Sequence, residues 1–257
     1  MAELVKIRVI AVGDYGKNAI DKMKDSGLKE VEYSVIDDKS NPNTLKTDIV
    51  RAFSVPADMV FVVTNTEETD MNIASVVTET TKEMGILSVV LLVKSSTSDN
   101  AYKKIENLKE SADSIMLIPE DEFVNESLLQ RIKSITDIIN IQGLINVEFT
   151  DIKNILKNSG LAQTGFGHTL GEEKEIKSTK MALNSVPDIN NAGGVIVNIT
   201  GNQNMTLYEV SDVVNEISNA TKDDSQIILG TVIDENLQDE IKVTLIATGL
   251  DNEKQVV

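Results

Sequence analysis

Three short stretches place residues where chemistry is done. In NTEETDM, residues 65–71, an apolar run that reads as a buried strand passes into a helix through Glu67, Glu68 and Asp70, with no glycine. Such junctions commonly bind phosphates, because the helix start offers free amides and a favourable dipole, and glycines let the backbone close on the anion. Carboxylates there act against it: like charges a few ångströms apart in a partly buried site cost several kcal/mol. In NVEFTD, residues 146–151, Glu148 and Asp151 stand three apart at a helix start. Two carboxylates on one face there suit either stabilising the helix N-terminus or orienting a water molecule. The third stretch, GDYG at 13–16, opens a strand–turn–helix–strand unit that Asp37 and Asp38 close, as in a dinucleotide-binding turn with its ribose-binding acid. GxxG alone is a weak signal, and Tyr15 occupies the middle glycine position.

The elements that must hold these residues alternate. Residues 5–12, 31–36, 58–64, 86–93 and 114–119 read as strands, with helices over 17–26 and 70–84 between them. Their apolar runs are continuous, which suits a parallel sheet covered on both faces. A helix over 122–141 carries Leu128, Leu129, Ile132, Ile135, Ile138 and Ile139 at core spacing and separates two domains. Beyond it the expected elements are helices at 149–158, 172–185 and 206–220 and strands at 193–200, 226–233 and 240–248. Thr206 and Glu209 fit a capping box. The expected division is 1–120, 121–142, 143–250 and a tail at 251–257.

Composition narrows the function. The chain has 257 residues, and 24 basic against 41 acidic side chains give a net charge of −17. Without a basic stripe, nucleic acid and anionic membranes are poor partners. With no cysteine, thiol chemistry is excluded. No signal sequence and no membrane-spanning run is legible, so the chain reads as cytoplasmic. The lone His168 has no metal-ligand partners, and no metal site is expected.

GLINVEFTDIKNIL (143–156), GLAQTGFGHTLGE (160–172), VIVNITGNQNMTLYEV (195–210) and IILGTVIDENLQDEIKVTLIATG (227–249) follow one another as they do in the division protein FtsZ. More weakly, IRVIAVGDYGKNAIDKM (7–23) does so too, and the sequence resembles the tubulin/FtsZ family. The resemblance implies an α/β fold with an N-terminal Rossmann-like parallel sheet, a central helix and a smaller C-terminal α+β domain. In the family a GGGTGTG loop wraps the phosphates of GTP or GDP, held with Mg²⁺; here NTEETDM stands in its place. Residues 38–58 leave little room for the helix and loop that cover the phosphates, and after Lys94 the base- and ribose-contacting residues are missing. A remnant nucleotide site would consist of Gly13, Gly16, Asn18, Thr64 and Thr66.

The loop that the family inserts into the next subunit's nucleotide site survives, with Asn146, Glu148 and Asp151 as its catalytic residues. The resemblance therefore implies a pseudo-GTPase, with little or no GTPase activity and no cofactor of its own. It would form filaments with itself, or cap or co-assemble with a conventional FtsZ. The chain ends soon after IATGL, so direct membrane attachment through a C-terminal peptide is not expected. The alternatives are a self-polymerising GTPase with an altered GTP site and a dinucleotide-binding regulator. Gly165 and Gly167 read as a tight turn and His168 as a loop residue.

Overall fold

The computed structural model describes residues 4–25, 28, 31–36, 44–53, 55–94, 101–121 and 123–250. Two units divide the chain, one formed by residues 1–133, 156–160 and 252–257 and the other by residues 134–155 and 161–251.

In the first unit, strands β1 (Ile7–Val12), β2 (Val31–Ile36), β3 (Met59–Asn65), β4 (Leu87–Lys94) and β5 (Ser114–Pro119) lie in the order β2-β1-β3-β4-β5. All four pairings are parallel. Helices α1 (Gly13–Asp25), α2 (Leu45–Ala52), α3 (Glu68–Glu83) and α4 (Ala101–Lys109) make the connections. Every residue of β1 and β3 is buried, as the continuous apolar runs require of a sheet covered on both faces. Each fully buried Val, Leu or Ile there contributes about 1.5–3 kcal/mol. Strand β2 lies at the edge, and only Ile36 of its six residues is fully buried.

Two sequence expectations for this unit change. Helix α1 starts directly at Gly13 rather than at residue 17, so GDYG is the first helical turn and not a loop preceding it. A helix does form between strands β2 and β3: α2 buries Leu45 and Ile49, one turn apart, and Lys46 Nζ reaches Glu83 Oε1 of α3 at 2.7 Å. Buried Arg8 of β1 pairs with Glu32 of β2 and lies 5.3 Å from the centre of the Phe53 ring. Asp37 and Asp38, the expected helix end at Gly27, most of the segment after Lys94 and the tail fall outside the described residues.

Helix α5 (Val124–Asn140) begins in the first unit and ends in the second. In the second unit α6 (Phe149–Leu156), β6 (Gly160–Leu170), α7 (Lys174–Asn184), β7 (Gly194–Gly201), α8 (Leu207–Ala220), β8 (Gln226–Ile233) and β9 (Glu240–Thr248) follow in order. Strand β9 is antiparallel to both β6 and β7, and β7 is parallel to β8. Strands β8 and β9, adjacent in sequence, are therefore not neighbours; β7 separates them. Val195, Val197 and Leu245 of the sheet form a core with Val213 and Ile217 of α8.

Gly165 and Gly167, expected in a tight turn, and His168, expected in a loop, lie instead in the eleven-residue strand β6 (Gly160–Leu170). Its glycines make room for a helix. A Cβ on Gly165 would lie 2.0 Å from the Ala182 carbonyl oxygen, and one on Gly167 1.7 Å from that of Ser178, so α7 crosses β6 closer than any side chain permits. His168 sits on this strand, its Nε2 2.9 Å from Glu240 Oε2. The capping box at α8 forms as its residues indicate, with Glu209 N donating to Thr206 Oγ1 at 3.2 Å and Thr206 N to Glu209 Oε2 at 2.7 Å.

Candidate functional site

The C-terminal ends of β1 and β3 carry the residues of the expected remnant site. Gly13 turns the chain from β1 into α1 with φ +69°, a conformation other L-residues rarely adopt. Gly16, one turn on, lies against β3: a Cβ there would be 2.7 Å from the Val63 carbonyl oxygen. This close approach brings the first turn of α1 beside the end of β3, where Thr64 and Thr66 are buried. Asn18 is exposed on α1.

From β3 the chain enters α3 in a tight turn. Asn65 Oδ1 accepts from Glu67 N at 2.9 Å, Glu67 is the extended residue before the helix, and its carbonyl receives the first helical bond from Met71 N at 2.9 Å. Asn65 thus makes an Asx turn into α3, its side-chain oxygen taking up one of the amides at the junction. Glu67, Glu68 and Thr69 point to solvent, and Glu68 reaches Lys104 of α4 only at 3.8 Å. Asp70, one residue further, is 4% exposed, and its carboxylate lies against Gly13.

Two further groups, Tyr15 and Arg131, share the field of Asp121. The Tyr15 hydroxyl is buried without a hydrogen-bond partner among the described residues, and burial, then Glu120 and Asp121, push its pKa above 10. Arg131 of α5 is 9% exposed and donates from Nη1 to the Ser127 carbonyl at 2.9 Å; burial lowers its pKa to about 10 against the opposing pull of Asp121. The spacing Leu128–Arg131–Ile135 places this arginine on the apolar face of α5, a pattern legible in the sequence. Among the described residues no cluster of His, Cys, Asp or Glu suits a metal ion.

Asn146, Glu148 and Asp151 are brought together separately, in the second unit. The loop before α6 is fastened to β8: Ile145 N donates to Thr231 Oγ1 at 2.8 Å, and Thr231 N to the Ile145 carbonyl at 2.9 Å. Gly143 and Gly230 permit that seat, since a Cβ on Gly143 would lie 1.9 Å from the Thr231 carbonyl oxygen and one on Gly230 2.7 Å from Val147. Asn146 Oδ1 accepts from Gly143 N at 3.0 Å, bracing the loop from within. Glu148 and Asp151 are exposed and enter no ion pair or side-chain hydrogen bond among the described residues; Asp151 N instead bonds the Glu148 carbonyl at 3.0 Å. The carboxylates therefore do not cap α6.

The C-terminal domain of the FtsZ family matches residues 160–251. An FtsZ of M. jannaschii, solved as an empty dimer, superposes with a TM-score of 0.83 at 27% identity, over 96% of this chain and 89% of that one. The chain is a divergent FtsZ-like cytoskeletal protein. A mutant M. jannaschii FtsZ gives 0.84 at 27% identity over 95% and 91% of the two chains. CetZ2 from Haloferax volcanii, solved as a GTPγS-bound protofilament, shares the fold at 0.77 and 15% identity over 98% and 96%.

FtsZ and tubulin proteins ordinarily bind GTP or GDP with Mg²⁺, and the residues of this FtsZ-like chain do not fit such a group. The junction into α3 presents Glu67 and Glu68 in place of glycine amides, and the Asp70 carboxylate already abuts Gly13. No described helix is long and apolar enough to cross a membrane.

Proposed function

We propose that this FtsZ-like chain is a pseudo-GTPase that acts through head-to-tail subunit contacts. It offers the loop bearing Asn146, Glu148 and Asp151 to a neighbour's nucleotide while holding none itself. The observation that carries this reading is the acidic, glycine-free start of α3, set against a loop whose exposed carboxylates have no structural occupation in the second unit. The FtsZ dimer and the CetZ2 protofilament among its structural relatives support self-association, which would then be independent of nucleotide, and a conventional FtsZ is the partner whose nucleotide the loop would reach. A subunit with a working loop and no nucleotide would cap, shorten or join a filament, because a heterologous contact propagates only while each subunit supplies both faces.

The test mixes the purified chain with a conventional FtsZ and GTP and follows phosphate release and sedimentation. Wild type should change both, and Glu148→Ala combined with Asp151→Ala should abolish the effect on phosphate release. Identical curves with wild type, the double variant and an inert protein would contradict the proposal, as would GTP turnover by the chain alone.

A further inference from the structure

Among the acids at the start of α3, Asp70 differs from the rest: Glu67 and Glu68 are exposed, while Asp70 is 4% exposed and turned inward. Its carboxylate has a defined seat. The position that a Cβ on Gly13 would take lies 2.4 Å from both Asp70 oxygens and 2.5 Å from the carboxyl carbon, so the carboxylate occupies the space beside the first residue of α1. Gly13 opens a thirteen-residue helix, whose first-turn N–H groups lack helical acceptors and whose dipole favours negative charge. A carboxylate buried this deeply requires donors, and a helix start supplies them.

We propose that Asp70 is a built-in anion, an internal stand-in for phosphate at the N-terminal turn of α1, which closes the degenerate nucleotide site from within. The idea rests on the pseudo-GTPase reading and deepens it. Exclusion by Glu67 and Glu68 is a long-range repulsion that salt or Mg²⁺ weakens, whereas exclusion by Asp70 is occupancy of the position itself. The arrangement also ties Gly13 to Asp70, because a side chain at residue 13 would displace the carboxylate.

The test uses the full chain, Asp70→Ser to open the position and Asp70→Asn to keep its shape without the charge, with inorganic pyrophosphate as probe at matched ionic strength. Wild type should melt at the same temperature with and without pyrophosphate at about 10 mM. Both variants should melt below wild type, and pyrophosphate should raise Asp70→Ser by about 3 °C, the shift expected for millimolar affinity, while leaving Asp70→Asn, which still fills the position, unmoved. If Asp70→Ser does not fold, Asp70→Ala, which also opens the position, carries the test. An Asp70→Ser variant that loses stability without responding to pyrophosphate, an Asp70→Asn variant that responds as Asp70→Ser does, or a wild type that responds overturns the inference. Those results leave the pseudo-GTPase reading standing; micromolar GTP binding by wild type would sink that reading whatever the variants do.

Discussion

Gly143→Ala tests whether the 143–148 loop is held by its seat on β8. The added Cβ would lie 1.9 Å from the Thr231 carbonyl oxygen and 2.4 Å from its carbon, backbone atoms that cannot rotate away. To reach an ordinary contact near 3.4 Å the loop must retreat by roughly 1.5 Å, enough to break the paired bonds between Ile145 and Thr231 at 2.8 and 2.9 Å. Two hydrogen bonds at about 1 kcal/mol each, with partial desolvation left unrepaid, give a loss of about 2–3 kcal/mol. For a chain of this size that lowers the melting temperature by about 4–12 °C. Gly193→Ala is the control: its nearest neighbour would be the Thr248 carbonyl oxygen at 4.0 Å, so it should be neutral or stabilise by about 0.4–1 kcal/mol. Urea and thermal unfolding of the two variants read the difference. Equal stabilities would refute the claim that the loop is clamped to β8, and with it the account of how Glu148 and Asp151 are presented.

Thr206→Ala removes the capping box of α8 and should cost about 1 kcal/mol, or about 2–4 °C in melting temperature. Gly167→Ala should be more damaging, about 2–4 kcal/mol by denaturant midpoint, because α7 must leave β6. Lys174 reaches Asp239 at 2.5 Å and Glu209 at 3.1 Å; burial raises the Glu209 pKa, but its bonds to Thr206 and Lys174 outweigh that, leaving it below 4.5. The stability this gives is fully present above pH 4.5 and lost as pH falls through the lower folded value, so Lys174→Met should flatten the acid limb of a stability–pH profile. Glu148→Ala and Asp151→Ala, by contrast, should each change stability by less than about 1 kcal/mol, since neither carboxylate caps α6.

Where the pattern depends on local chemistry it was legible. The runs at 31–36, 114–119, 226–233 and 240–248 coincide with β2, β5, β8 and β9, because β-branched stretches bounded by polar turns have few other uses. The Thr206–Glu209 capping box has a mechanism readable from two residues. Contacts between distant segments were not legible. Gly165 and Gly167 serve the approach of α7 to β6, a requirement invisible until the helix is placed, so from the sequence alone the two glycines read as a turn. Helix α2 is only eight residues long and rests on Leu45 and Ile49, too few for a period to stand out. At the candidate site the acidic junction was evident, but which acid turns inward was not: Asp70 is fixed by Gly13, more than fifty residues earlier.

Calorimetric titration with GTP and GDP in Mg²⁺, beside a conventional FtsZ as positive control, addresses the central claim most directly. The acidic start of α3 and the carboxylate beside Gly13 predict no saturable heat up to millimolar nucleotide. Saturation at micromolar concentration would contradict the account and make the chain a nucleotide-binding FtsZ with an altered phosphate loop.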